Sequence, residues 1–349
     1  MEAGRKAFPR PLDLKGGRVE LGHGAGGRAM TQLIEELFER RFANPLLAQR
    51  HDAASFPVAA GRMAVSTDGF VISPLFFPGG DIGSLAVHGT INDVAMAGAR
   101  PLYLTAGLIL EEGFPLADLA RIIASMADAA AAAGVSIVAG DTKVVERGKG
   151  DGIFITTTGI GVVPDGIEIG ADRARPGDAV LLSGTLGDHG VAVLSEREGL
   201  RFETELRSDS APLHTLVAEM LAAAPEIRVL RDATRGGFAA VLNEIARESG
   251  VGITVREAAI PVGAAVRGAC ELLGLDPLYV ANEGKLVAFC PEPAAARLLA
   301  VMRAHPQGGD AAIVGSCTDD PHRFVQMRTA LGGTRIIDWI AGEQLPRIC

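Results

Sequence analysis

The chain has 349 residues, which is enough for two domains that each bury their own core. With 48% hydrophobic and 21% charged residues it has the composition of a globular protein, and its net charge of −9 argues against general affinity for nucleic acid. Glycine occurs at 44 positions and aromatic residues make up only 5%, which favours α/β layers packed closely through small side chains.

No uncharged apolar run reaches the length of a membrane span, and no apolar stretch follows the basic N-terminus as in a signal peptide. We therefore expect a cytoplasmic protein with no membrane partner. The four cysteines contain no C-x-x-C pair, so neither a structural zinc site nor a disulfide framework is expected. Cys270, Cys290 and Cys317 lie in apolar runs and are predicted to be buried core residues.

The first 17 residues are predicted to be a flexible lead, and residues 18–170 a first domain in which strands and helices alternate. The predicted strands are 18–21, 63–67, 101–110, 136–139 and 153–163, and the predicted helices are 30–42, 82–97 and 116–133. A charged loop (146–151) joins the last two β runs. This pattern predicts an antiparallel hairpin and hence a mixed sheet.

A polar stretch punctuated by Pro and Gly begins at residue 171 and marks a domain junction. The second domain (171–338) repeats the alternation, with predicted strands at 179–183, 252–255, 286–290, 312–315 and 324–327 and predicted helices at 191–198, 213–223, 238–249, 263–273 and 293–304. Residues 339–349 are predicted to form a mobile tail, with Gly342 as a hinge.

The tail ends on a cysteine, Cys349. A terminal cysteine alone is usually incidental. However, eight free residues span about 25 Å when extended, so this thiol could visit more than one active site, as on a carrier arm.

A glycine-rich loop (22–27) precedes the first helix and fits G-x-G-x-x-G through Gly22, Gly24 and Gly27. It also approaches a phosphate-binding P-loop, except that Arg28 and Ala29 replace the Lys and Ser/Thr. Such a loop turns backbone N–H groups toward an anion, but a plain glycine turn is an equally good interpretation of this motif alone.

Four aspartates lie at the ends of β runs or in a small-residue helix: Asp68, Asp93, Asp141 and Asp232. Carboxylates that are scattered along a chain and converge in space are typical of Mg²⁺ sites. Each one alone is more simply a turn or cap residue. Asp93 is the exception, because an unpaired carboxylate is costly in a mostly apolar helix. Together with the glycine loop, these residues favour a magnesium-nucleotide site.

Acid–base and cationic groups accompany these aspartates. Lys143 follows Asp141, and Arg235 precedes two glycines at the start of a helix. Glu283 lies in Asn-Glu-Gly-Lys between two apolar runs, where a solvated hairpin turn is the alternative interpretation.

This combination of motifs, together with the glycine loop, resembles the aminoimidazole-ribonucleotide-synthetase-like (PurM-like) superfamily of ATP-using enzymes. The matching stretches are residues 67–69, 92–99, 140–142 and 232–237. The terminal Pro346-Arg347-Ile348-Cys349 is similar to that of one family within it, the HypE hydrogenase maturation proteins. The resemblance covers about residues 18–349.

The resemblance implies a two-domain α/β (α+β) fold with mixed sheets, whose N-terminal domains pair into a homodimer with a shared β-barrel. It implies ATP near the dimer interface, held with Mg²⁺. It further implies that HypF loads a carbamoyl group onto Cys349, that ATP-dependent dehydration converts this group to a thiocyanate, and that the HypC–HypD complex accepts the cyanide for the iron of [NiFe]-hydrogenase.

The resemblance also implies roles for individual residues. Metal ligands would be Asp68, Asp93 and Asp141, and nucleotide contacts Gly24, Ala25, Gly26, Gly27, Thr67, Asn92 and Thr142. Catalytic residues would be Cys349, Lys143, Glu283, Asp232 and Arg235. Among these, Lys143 would stabilise charge on the carbamoyl or phosphate oxygen, and Glu283 would remove the amide proton.

Three other functions fit part of the sequence. One is an ATP enzyme of the same superfamily that acts on a small molecule such as selenide, a thiamine phosphate or a purine precursor. Another is an inert scaffold that binds nucleotide and partners. A dehydrogenase would depend on the glycine pattern alone, since no acidic residue follows at the spacing of a dinucleotide fold.

Overall fold

The structure is a computed structural model, which describes residues 8, 10–25, 28–49, 56, 61–200, 206–339 and 347–349. Within these residues it contains mixed sheets covered by helices, so the predicted α/β class is confirmed. No helix in these ranges is long and apolar enough to cross a bilayer.

The first sheet has four strands in the order β1-β6-β4-β5. The strands of this part of the chain are β1 (Arg62–Phe70), β2 (Phe76–Phe77), β3 (Gly80–Asp81), β4 (Arg100–Glu111), β5 (Ser136–Val145) and β6 (Ile153–Val163). Its helices are α1 (Arg28–Leu33), which continues through a π-helical turn (Ile34–Phe38) into α2 (Glu39–Arg41), then α3 (Ile82–Met96) and α4 (Leu116–Ala132). Of the three strand pairs in this four-stranded sheet, only β4 and β5 are parallel.

The predicted hairpin between the β runs of 136–163 is wrong. β5 and β6 are not neighbours, because β4 lies between them. A parallel pair needs a crossover connection, and α4 provides it, so β5 joins β4 at the edge of the sheet. β6 then pairs antiparallel with the other side of β4.

The N-terminal residues also differ from the prediction. Instead of a strand over 18–21, a single bridge joins Arg18 to Pro115, and a 3-10 helix (Leu21–Gly24) follows. Within the predicted flexible lead, the backbone N–H of Leu12 donates to Glu36 over 2.6 Å. Leu14 packs against the apolar core between the first sheet and helices α1, α3 and α4, which we call the first core. This stretch is therefore docked on the helices that follow it.

The second sheet has seven strands in the order β13-β12-β9-β11-β7-β10-β8. They are β7 (Asp178–Leu182), β8 (Val229–Asp232), β9 (Gly252–Arg256), β10 (Leu286–Pro291), β11 (Ala312–Thr318), β12 (Val325–Arg328) and β13 (Thr334–Ile336). The helices are α5 (Asp188–Glu198), α6 (His214–Ala223), α7 (Gly237–Ser249), α8 (Ala264–Leu273) and α9 (Glu292–Ala304). A core that joins α3 and α6 to β7 and β10 ties this sheet to the first.

The two faces of the first sheet differ. Helix α3 packs on one face against β1, β6 and β4. On the other face the cross-strand neighbours include Val65, Ile160 and Tyr103 in one row and Ile109 and Phe154 in another. Val65 is 65% exposed and Ile109 45% exposed. We call this the open face of the first sheet; exposed apolar surface of this kind is typical of interfaces.

Candidate functional site

Four carboxyl groups converge where α3 meets the ends of β1 and β8. Asp68 lies on β1 on the face that α3 covers, and Asp93 lies on α3, where its Oδ2 accepts a 2.7 Å hydrogen bond from Ser66. Asp232 ends β8, and Glu283 lies in the turn before β10. We call these four residues the acid cluster.

The pKa values show that these carboxyl groups influence one another electrostatically. Burial raises the pKa of Asp232 to about 7, and the charges of Asp93 and Asp68 add to this effect. The pKa of Glu283 is raised well above its usual value, by burial first and then by Asp232. The pKa of Asp68 is also raised, by burial and by Asp93, against the opposing charge of Arg235. Burial is the largest cause of each shift, and the charges of neighbouring carboxylates add to it.

Glu283 is the most constrained member. Its side chain is 3% exposed, and Oε1 has no hydrogen-bond partner among the described residues. A buried carboxyl oxygen without a partner is costly, and such groups concentrate at functional sites. A cation or a substrate N–H group would satisfy it.

A connecting segment, residues 206–213, fixes Glu283 in place. Asp209 accepts a 3.0 Å hydrogen bond from the backbone N–H of Glu283 and forms a buried ion pair with Lys285, with 3.1 Å between Nζ and Oδ2. Asn92 donates from its amide to the carbonyls of Ala211 and Glu283. Its Oδ1 also accepts from the N–H of Leu213. The side chain of Asn92, a predicted nucleotide contact, therefore binds main-chain groups of the protein itself.

This arrangement requires glycine at position 284. A Cβ there would lie 1.8 Å from the carbonyl oxygen of Asp209, so Gly284→Ala must push the connecting segment away. We expect it to lower the free energy of unfolding by about 1–3 kcal/mol. Urea unfolding would measure this. The control is Gly268→Ala in α8, which meets nothing within 4 Å and should stabilise by about 0.5–1 kcal/mol. An unchanged Gly284→Ala would contradict the packing described.

Several of the other predicted residues form a second group on β5 and beside it. Asp141 and Lys143 form an exposed ion pair of 2.7 Å, and Lys143 lowers the pKa of Asp141. Thr142, between them, is buried, and its N–H donates to Asp141 over 2.8 Å. Gly24 packs so closely on Val144 that a Cβ would lie 2.6 Å from its nitrogen. The described part of the glycine loop, residues 22–25, therefore lies beside this edge strand, and Ala25 caps the 3-10 helix Leu21–Gly24.

The two groups do not meet within one chain. β1 and β5 are opposite edges of the sheet, three strand spacings or about 14 Å apart. Asp141 is a cross-strand neighbour of Gly107 and points to the open face, whereas Asp68 points to the α3 face. A single-chain site made of Asp68, Asp93 and Asp141 is therefore not formed. The carboxyls of the acid cluster influence one another electrostatically, but among the described residues no three His, Cys, Asp or Glu side chains are placed together closely enough to hold a metal ion.

Thr67 lies on the open face too, because it alternates with Asp68; it contacts Thr158 over 2.9 Å. Arg235 is close enough to Asp68 to lower its pKa, so it belongs with the acid cluster. Gly26 and Gly27 lie outside the described residues.

The C-terminal residues are docked on the segment that follows β1. The N–H of Val71 donates to an oxygen of the terminal carboxylate of Cys349 over 3.1 Å, and the N–H of Ser73 donates to the carbonyl of Arg347 over 3.2 Å. Ile348 is 3% exposed and belongs to the first core. Val71 follows Asp68 by three residues, so Cys349 lies close to the end of β1. The mobile tail of the prediction is bound at residues 347–349; residues 340–346 lie outside the described part.

Arg347 binds in a way that the sequence did not indicate. Its φ of 54° is in the left-handed region, its guanidinium pairs with Asp151, and its Nε donates to the carbonyl of Val71 over 3.0 Å. Sequence reasoning also missed Asp209, which binds the main chain of Glu283, and His189, which binds the carbonyl of Ile348. Neither lies in a recognisable motif, because their partners come from distant parts of the chain.

The comparisons with known proteins cover nearly the whole chain. The family model "AIR synthase related protein" matches through its N-terminal domain at residues 50–163 and its C-terminal domain at residues 175–328. Carbamoyl dehydratase HypE of Azotobacter vinelandii is 68% identical over 97% of this chain and 99% of its own length.

Two solved structures are similar as well. Hydrogenase maturation protein HypE in complex with ATP is 52% identical, with a TM-score of 0.92, over 95% of this chain and 99% of its own. A HypE–HypF complex contains a chain that is 50% identical, with a TM-score of 0.78, over 88% of this chain and 99% of its own. The predicted two-domain PurM-like fold is therefore confirmed.

Proposed function

Because the chain belongs to the HypE family of hydrogenase maturation proteins, the carbamoyl dehydratases, we propose that it uses ATP to dehydrate a carbamoyl group carried on the thiol of Cys349. The product is a thiocyanate on the same sulfur, which supplies the cyanide ligands of the [NiFe]-hydrogenase iron. The observation that carries this proposal is the docking of residues 347–349 on the segment that follows β1, the strand that carries Asp68 of the acid cluster.

The chemistry explains why a nucleotide is needed. Cys349 carries S–C(=O)–NH₂, whose oxygen is a poor leaving group. Transfer of the γ-phosphoryl group of ATP to that oxygen leaves ADP and turns the oxygen into part of a phosphate ester. Removal of the two N–H protons and departure of phosphate then give S–C≡N. The protein contributes positioning, charge neutralisation and a base.

The residues of the site suit these roles. Glu283 is buried, has a raised pKa and offers an oxygen without a partner, so it is our base for an amide proton. Arg235 and Asp232 would orient the phosphate and the proton path around it. Lys143 would stabilise negative charge on the transferring oxygen.

The carboxyl oxygens of the acid cluster also suit Mg²⁺, which prefers carboxylate ligands. Asp68 and Asp93 would hold the ion, which supplies charge neutralisation at the phosphates when bound. Asp141, the third predicted ligand, would reach the ion only from a second copy of the chain, and Gly24 and the rest of the glycine loop would contact the nucleotide.

Lys143 and Asp141 can take these roles only if a second copy brings them to the acid cluster, since one chain keeps them on opposite faces. We therefore propose a homodimer that pairs through the open face of the first sheet. The exposed apolar residues of this face, Val65 and Ile109 among them, provide the buried area.

Val65→Asp should dissociate this dimer, because two charges would be buried without partners at the interface. Sedimentation equilibrium is expected to show a dimer for the wild type and a monomer for the variant, with ATP turnover lost in parallel. Leu331→Asp, at a fully exposed position in the second domain, is the control and should remain dimeric. A dimeric Val65→Asp would contradict the interface.

We propose HypF as the carbamoyl donor; the HypE–HypF complex of a related protein supports HypF as a partner. We propose the HypC–HypD complex as cyanide acceptor and the cytoplasm as the place of reaction. The cytoplasm is consistent with a thiol that has to stay reduced.

The test is mass analysis of the C-terminal peptide after incubation with HypF, carbamoyl phosphate and ATP. Successive carbamoyl and cyano adducts on Cys349 are expected. A chain ending at Ile348 that keeps full turnover with a small substrate would instead support the small-molecule enzyme of the same superfamily.

A further inference from the structure

A cavity of about 410 Å³ lies in the second domain, between α8, the 3-10 helix Glu257–Ala259 and the hairpin of β12 and β13. We call it the α8 cavity. It contains no residue of the acid cluster and none of the predicted site residues. Its volume is in the range of small-molecule sites, which surround an apolar ligand body and orient it with a few polar groups. The cavity is therefore large enough for a ligand that the proposed function does not use.

The floor of the α8 cavity is apolar. It is lined by aliphatic and sulfur-containing side chains from separate elements, Ile260, Val262, Leu275, Leu278 and Met327. Leu278 and Met327 are 5% and 4% exposed and belong to a core cluster of the second domain, so the floor does not depend on mobile surface side chains. Water is a poor solvent for such a floor, which favours a ligand with a bulky apolar group.

Four charged side chains also line the cavity, and two of them neutralise each other. Arg335 on β13 pairs with Asp276 after α8, with 2.8 Å between Nη1 and Oδ2. Oδ1 of Asp276 accepts from the N–H of Leu278 over 3.0 Å. This pair ties the hairpin to the opposite wall, so the cavity is formed before a ligand binds. A preformed site spends less free energy on ordering when its ligand arrives.

The other two charged side chains, Glu257 and Arg267, remain open to a ligand. Oε2 of Glu257 accepts from the N–H of Ala330 over 2.8 Å, which leaves Oε1 available. The guanidinium of Arg267 on α8 forms no hydrogen bond or ion pair within the described part of the chain. Its N–H groups can bind both oxygens of a carboxylate, whereas a carboxylate such as that of Glu257 accepts from an ammonium group.

The charges of the lining therefore sum to zero, with one cation and one anion left without a protein partner of opposite charge. An anionic ligand would satisfy Arg267 but face Glu257, and a cationic ligand would have the reverse problem. A ligand that carries both charges close together, next to an apolar group, complements all three features. A free α-amino acid has this chemistry.

We propose that the α8 cavity binds a free α-amino acid with a bulky apolar side chain. Arg267 binds its carboxylate, Glu257 binds its ammonium group, and the apolar floor surrounds its side chain. This inference goes beyond the proposed function and does not depend on it.

The test is isothermal titration calorimetry of the full-length protein with three compounds of nearly the same shape. L-Phenylalanine carries both charges, 2-phenylethylamine lacks the carboxylate and 3-phenylpropionate lacks the ammonium group. We expect one L-phenylalanine per chain and affinities about tenfold lower for each of the other two, since each loses a charge-assisted hydrogen bond.

Two variants at exposed positions assign the charges. Arg267→Met should weaken L-phenylalanine binding about tenfold and leave 2-phenylethylamine unaffected, because that compound has no carboxylate. Glu257→Gln should weaken L-phenylalanine binding to a similar extent and leave 3-phenylpropionate unaffected. Arg297→Met and Glu226→Gln, which remove the partners of an exposed ion pair outside the cavity, are the matched controls and should bind like the wild type.

Saturating ATP should leave the affinity for L-phenylalanine unchanged, because the α8 cavity is separate from the acid cluster. Displacement by ATP would place the compound in the nucleotide site and overturn the proposal. Absence of saturable L-phenylalanine binding to the wild type would also overturn it, as would equal affinity for all three compounds or wild-type affinity in Arg267→Met.

Discussion

Cys349→Ser is expected to reduce thiocyanate formation to background while ATP affinity and the unfolding temperature stay unchanged. The thiolate is the attacking form of cysteine, and a serine hydroxyl does not ionise near neutral pH. Docking should survive the substitution, because the described hydrogen bonds bind the terminal peptide through its carbonyl groups. Mass analysis of the C-terminal peptide, with HypF, carbamoyl phosphate and ATP present, measures the loss.

The matched control is Cys270→Ala, which removes a buried thiol from α8. It should lower stability by about 1–2 kcal/mol as a small core truncation, yet keep the full yield of cyano adduct. A cyano adduct on any cysteine of Cys349→Ser would refute the carrier role of the terminal sulfur.

Most of the helices and strands could be predicted from local patterns. β6 is observed at the predicted bounds, Ile153–Val163, and α4 ends one residue before its predicted end. The missed strands are short or weakly patterned: β8 has four residues and ends in charged Arg231 and Asp232. Periodicity cannot reveal such a strand, since its pairing with β10 depends on residues far along the chain.

Sheet order was beyond the sequence pattern. A charged loop between two β runs favours a hairpin locally, and nothing in residues 136–163 shows that β4 inserts between them. The consequence for the site is large. Because β5 lies at the far edge, Asp141 and Lys143 are separated from Asp68, although all three carry comparable sequence signals.

The role of the C-terminus shows the same limit. The sequence identifies Cys349 as chemically important, but a terminal segment looks mobile unless its receptor is known. That receptor combines Val71 and Ser73 after β1 with α5, more than 100 residues later. Only the tertiary structure brings these elements together.

Glu283→Gln is expected to slow single-turnover dehydration about 10²–10⁴-fold, the range of a lost general base, without changing carbamoyl loading. The substitution keeps size and burial but removes the titrating group. A base must be deprotonated, and burial with neighbouring carboxylates raises the pKa of Glu283. The wild-type rate should therefore rise with pH as this carboxyl loses its proton. In Glu283→Gln the rise attributable to this group should disappear.

Stability provides an independent readout of the same group. Because the pKa of Glu283 is higher in the folded than in the unfolded protein, the folded state binds more protons above the usual pKa of 4.5. The free energy of unfolding should therefore fall as pH rises from 4.5 through the neutral range where Asp232, with a pKa of about 7, also titrates. Glu283→Gln should flatten this fall, as measured by urea unfolding without nucleotide. Glu226→Gln, at an exposed ion pair, should keep both the wild-type rate and the wild-type pH dependence of stability. If Glu283→Gln retained the wild-type rate and pH profile, the proton would have to leave by another group, and Asp232, whose pKa is also raised within the acid cluster, would become the base to test.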